Sequence, residues 1–134
     1  MTGFTRNKAT SILQTAIKSS TYVALSTTTP TETGANFTEP PASTGYVRQA
    51  FGEVNTTISG QVANKNIIFL FEALADCGSI THVGLSDTNT RGSTVFLMAE
   101  LLAPLSVAAG YVPLIRANQF IIGLDKEELE AYPG

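Results

Sequence analysis

The sequence predicts a mainly β protein, an antiparallel β-sandwich of jelly-roll-like type with one N-terminal amphipathic α-helix. Three observations carry this expectation. About eight short apolar or alternating segments recur at intervals of roughly 8 to 12 residues between turn signals. Threonine, which is β-branched and favours strands, occupies 18 of the 134 positions. Helical periodicity appears near the start, ahead of residue 20. The length is that of one domain that can bury a core without disulfides or metals. The expected division is a helix over 1–20, a sandwich over 21–125 and a tail or short helix over 126–134.

Taken in order, Ala9, Ile12, Leu13, Ala16 and Ile17 fall at the i, i+3, i+4, i+7, i+8 spacing of one helix face, with Arg6, Lys8, Gln14 and Lys18 on the rest. Thr5 or Asn7 is the expected N-cap, and the apolar face is expected to pack on the domain or on a neighbouring subunit. No apolar run of signal-peptide length opens the chain. Residues 22–27 alternate as a strand, which Pro30 ends. Residues 28–45 hold Pro30, Gly34, Pro40, Pro41 and Gly45, too punctuated for a helix or central strand. A loop of that length is expected to be functional or pinned by another surface.

Residues 46–50 predict a short strand, residues 55–64 a hairpin about Ser59-Gly60, and residues 67–71 a strand buried on both faces. A strand over 80–85, a turn over 87–92 and a strand from Thr94 to about Leu102 follow. The window Val95–Ile115 has a single charge, Glu100, in 21 residues. Pro104, Gly110 and Pro113 argue for strands separated by turns there, and against a membrane-spanning helix. Residues 119–124 form the last expected strand, and Asp125 is placed to cap a short terminal helix.

Charge and chemistry narrow the function. Apolar residues make up 43% of the chain and charged residues 14%, with a net charge of −3. That balance lacks the phosphate attraction of a nucleic-acid binder. One cysteine, Cys77, excludes a disulfide framework or a multi-cysteine zinc site. His82 is the one histidine, and nothing fixes its distance from Cys77, so a thiol–imidazole pair is a weaker reading than a structural histidine. The segment Asp87-Thr88-Asn89-Thr90-Arg91-Gly92 echoes the start of a calcium loop, but Met98 stands where a bidentate glutamate belongs. These observations predict a protein that is not an enzyme and has no cofactor or metal.

The stretch Tyr22 to Thr31, with Gly34, Thr38-Glu39-Pro40 and Gly45 to Ala50, resembles the opening of a family of small tailed-bacteriophage structural proteins, often described as tail-fibre or virion proteins. Ile67-Ile68-Phe69, Gly78 to Asp87, Gly92, and the ending from Leu101 to Gly110 and on to Asp125 are similar as well. The likeness spans most of residues 8 to 125. Asp76-Cys77-Gly78 stands where that family often has Trp-Gly, and Tyr111 where an Asp is usual, which bears on local turn packing.

The resemblance implies a virion component assembled in the bacterial host cytoplasm, on the tail, fibre, baseplate or capsid surface. Its expected partners are copies of itself, with a trimer as first expectation by analogy, and other virion proteins. The candidate subunit-interface residues are Ile12, Leu13 and Ile17 on the helix and Pro30, Phe37, Pro40 and Pro41 in the loop. An alternative is a receptor- or carbohydrate-binding module of a fibre, using Tyr46 and Tyr111 against a host surface glycan. The ends carry opposite charge: Arg6, Lys8 and Lys18 without an acid in residues 1–31, and Asp125, Glu127, Glu128 and Glu130 against Lys126 at the end. Such ends favour one orientation between neighbours more than they add affinity.

Overall fold

The computed structural model describes residues 6–18, 21–56 and 61–123. The architecture is mainly antiparallel β with one short helix. Helix α1 runs over Arg6–Ala16. Strands follow as β1 (Tyr22–Ser26), β2 (Gln49–Ala50), β3 (Val54–Asn55), β4 (Gln61–Asn64), β5 (Ile68–Phe69), β6 (Ser79–Ser86), β7 (Leu97–Ser106), β8 (Leu114–Ile115) and β9 (Ile121–Gly123). They form a four-stranded sheet in the order β2-β1-β6-β7, a three-stranded sheet β3-β4-β9 and a two-stranded sheet β5-β8.

Strand β1 lies between β2 and β6, which pair both its backbone edges, and side chains pack on both its faces, since Val23, Ala24, Leu25 and Ser26 are all buried. Strand β6 is covered likewise from Ile80 to Ser86, apart from the half-buried Thr81. Strand β7 is the edge, and most of its residues are exposed.

Helix α1 packs on β4 and β9, and Leu13 and Ile17 join Val62, Phe51, Phe120 and Ile122 in the core. The helix periodicity therefore found its own domain as the partner. The hairpin is formed by β3 and β4, with Val54 opposite Asn64 and Asn55 opposite Ala63; its tip, residues 57–60, lies outside the described residues. The proposed N-cap Thr5 and the segment from Asp125 lie outside them too.

Two expectations are corrected. Residues 67–71 are not buried on both faces: Ile68, Leu70 and Phe71 are inside while Ile67 and Phe69 are exposed, so the alternation of the strand puts only one face against the core. Pro104 does not separate two strands. It lies within β7, where Ile80 pairs with Leu105 and His82 with Glu100, so residues 101–104 stand opposite Thr81 alone. An edge strand with a bulge is where a residue lacking an amide proton is tolerated. No helix among the described residues is long and apolar enough to cross a membrane.

Candidate assembly surfaces

The long loop is pinned from inside. Glu39 is buried, and its Oε1 accepts from Arg48 Nε at 2.8 Å and from the Tyr46 hydroxyl at 2.7 Å. Its Oε2 accepts from Arg48 Nη2 at 3.2 Å and from the Gly92 amide at 2.8 Å. Arg48 spends its remaining donors on the carbonyls of Thr88 and Ser93 and the Ser93 hydroxyl. Arg91 then donates to the carbonyls of Glu39 and Pro40. The guanidinium fork suits this role because its five donors are fixed in a plane. Burial pushes the Glu39 carboxyl up, but the hydrogen bonds from Arg48, Tyr46 and Gly92 and the charge of Arg48 outweigh it, and its pKa lies below the ordinary value. Burial and then the Glu39 carboxylate raise the Tyr46 phenol well above its usual range.

Local sequence sets up this clasp. Ser26 Oγ accepts the amides of Thr28 and Thr38, and Thr27 donates to the Thr38 carbonyl, so the loop returns to the end of β1. The Phe37 ring then lies over Gly84 of β6, where a Cβ would stand 3.1 Å from ring carbons. Gly45 turns the chain out of the loop at φ 85°, and a Cβ there would be 2.5 Å from the Glu72 carbonyl.

The loop candidates divide accordingly: Pro40 is buried, Pro30 and Phe37 are half-buried, and Pro41 is exposed. On the helix, Leu13 and Ile17 are buried within the chain and Ile12 is half-buried. Tyr46 is not a surface contact. It is 4% exposed, its ring packs edge-on against Phe71, and its hydroxyl also accepts the Leu25 amide. Tyr111 is 66% exposed.

The second surface is apolar. A groove of about 460 Å³ runs between β7 on one wall and β8 and β9 on the other, lined by Leu102, Leu105, Leu114, Ile115 and Ile121 among others. Leu102, in the bulge of β7, is fully exposed. A second hollow, lined by Tyr111 and Val112, shares Leu105 with the groove, and a third, lined by Val47, Phe69 and Leu74, shares Val112 with the second. Phe69 pairs with Leu114 across β5 and β8, which joins the two ends of this surface.

Its walls are held firmly. Asn64 is completely buried; its amide donates to the carbonyls of Asn66 and Arg116 and its oxygen accepts the Phe120 amide, each at 2.9 Å. Those contacts fix the connection from β8 to β9. Asp76 accepts the Ala109 amide at 2.9 Å and Cys77 donates its amide to Val107, so residues 76–78 and 107–111 pack together.

The residues offered for chemistry are occupied locally. The Cys77 thiol donates to the Ala75 carbonyl at 3.5 Å, and His82 Nδ1 lies 2.8 Å from the Thr81 hydroxyl.

Sequence reasoning missed Leu102, Leu114 and Ile121 as surface residues, and missed the Glu39–Arg48 pair. The signal for the first set was the nearly uncharged window 95–115, whose hydrocarbon proves to lie largely outside the core. The signal for the second was weak, because the two charges stand nine positions apart and no local period links them.

The scaffold is charge-poor and antiparallel, and it turns apolar side chains such as Leu102, Leu114 and Ile121 toward solvent. Residues 6–123 match the family described as podophage GP4 fiber I protein gp80, and the chain belongs to that family. It is a phage fibre structural protein and part of the virion. No curated protein matches the chain.

Proposed function

We infer that this chain is a fibre subunit that assembles with copies of itself and with other virion proteins, a process that takes place in the bacterial host cytoplasm. The observation that carries this reading is the series of adjoining apolar hollows from Ile121 and Leu102 to Leu74. A monomer rarely exposes a contiguous apolar patch beyond a few hundred Å², and covering one removes about 25 cal/mol per Å² of hydrocarbon from water. The low charge of the chain, 14% of residues, supports it, since interface cores are depleted in charge. Three copies are the first expectation. The loop residues Phe37 and Pro41 and the helix residue Ile12 keep exposed surface for neighbours in the particle.

Light scattering from the purified full chain tests this. The mass is expected at a multiple of 14.2 kDa across the micromolar range. A mass of one chain at several hundred micromolar would overturn self-assembly.

A further inference from the structure

We propose that the groove between β7 and the β8–β9 connection is the contact between copies, covered by a second copy of this chain and oriented by Glu100 of one copy against Arg116 of the other. This rests on the self-assembly reading and specifies where it occurs.

The occupant is argued from charge and position. Glu100 lines the β7 wall of the groove, and Arg116 directly follows Ile115 on the opposite wall. Both are exposed. Among the described residues the ion pairs are Glu39 with Arg48 and Lys65 with Glu53, so Glu100 and Arg116 are each without one. A carboxylate on one wall of an apolar groove and an arginine next in sequence to the other wall give each charge an opposite on a second copy. A second copy is the partner for which that match comes built in.

Geometry supports the same occupant. Leu102 stands on the β7 bulge at the rim of the groove, an apolar knob beside an apolar hollow. Pro104 has no amide proton to offer along the strand edge, and edges carrying proline and a bulge resist added strands. The contact is therefore one of side chains, with Leu102 entering the neighbour's groove. A stable contact covers about 800 Å² per partner, more than one groove supplies, and the adjoining hollows from Leu105 to Val112 and Leu74 give it room to extend. Asn64, holding the Arg116 carbonyl, keeps that wall in place without the partner.

Sedimentation equilibrium on the full chain tests the contact, using Glu100→Arg, Arg116→Glu, the double exchange and Leu102→Asp. Each single charge reversal sets like charges face to face and is expected to weaken association by about tenfold or more. The double exchange is expected to recover to within about threefold of the parent, and an equimolar mixture of the two single variants to associate again. Leu102→Asp is expected to abolish association. Thermal melting separates these effects from loss of folding, since all three positions are exposed. A parent oligomer indifferent to every variant would overturn this contact while leaving self-assembly standing, and would assign the groove to another virion protein. A double exchange as weak as the single reversals would overturn the Glu100–Arg116 pairing. A monomeric parent would overturn both.

Discussion

The loop over residues 28–45 and the strand β7 border the same four-stranded sheet, yet one buries its charge and the other exposes its hydrocarbon. Glu39 in the loop and Arg48 just after it, with side chains 4% and 1% exposed, are saturated by five bonds from Arg48 and two further donors to Glu39. In β7, seven of ten strand residues are exposed: Ala99, Glu100 and Leu102 through Ser106. Buried polar groups cost folding energy unless every bond is made, so the loop is complete within one chain. Exposed apolar surface is stabilised when something covers it, which is what the proposed contact would do for β7.

The sharpest way to break this contrast is to cut the clasp. Arg48→Ala leaves a buried carboxylate without its partner and is expected to destabilise the fold by about 3–5 kcal/mol, read as a lowered urea midpoint with association lost only through unfolding. Acid acts on the same group. Because the folded-state pKa of Glu39 is depressed, its contribution is complete above the ordinary carboxylate range, about pH 4.3, and is lost as pH falls through the lower folded-state value. Glu39→Gln is expected to flatten that part of the stability–pH curve; an unchanged curve would remove Glu39 from the acid response. Tyr46→Phe deletes the hydroxyl between Glu39 and the Leu25 amide and is expected to cost about 1–3 kcal/mol, measured by the same denaturation. The smallest effect belongs to the other region. Leu102→Asp should change the stability of the isolated chain by no more than about 0.5 kcal/mol, and a large loss there would mean that the β7 bulge supports the fold.

Much of the fold was legible because it is periodic. The spacing of Leu13 and Ile17 marked a buried helix face, the apolar arms about Ser59-Gly60 marked the β3–β4 pair, and Ile80 to Leu85 marked a central strand. What periodicity cannot supply is the neighbour. The run 67–71 has the hydrocarbon of a doubly covered strand, but the core covers only one of its faces and Phe69 lies outside. Pro104 reads as a strand end wherever both edges must donate, and only its place on the outer strand reverses that. The loop was legible as pinned, and the pin was not: Glu39 and Arg48 look like ordinary surface charges until folding brings Gly92 and Ser93 over them. Tyr46 failed as a contact residue for the same reason, since the clasp uses its hydroxyl.

An electron-microscopy map of the intact virion shows whether the β7–β8 surface is covered in the fibre. The expected result is density from a second copy against Leu102 and Leu114, with Glu100 and Arg116 facing across the contact; Leu102 and Leu114 open to solvent around the whole fibre would overturn the proposed contact.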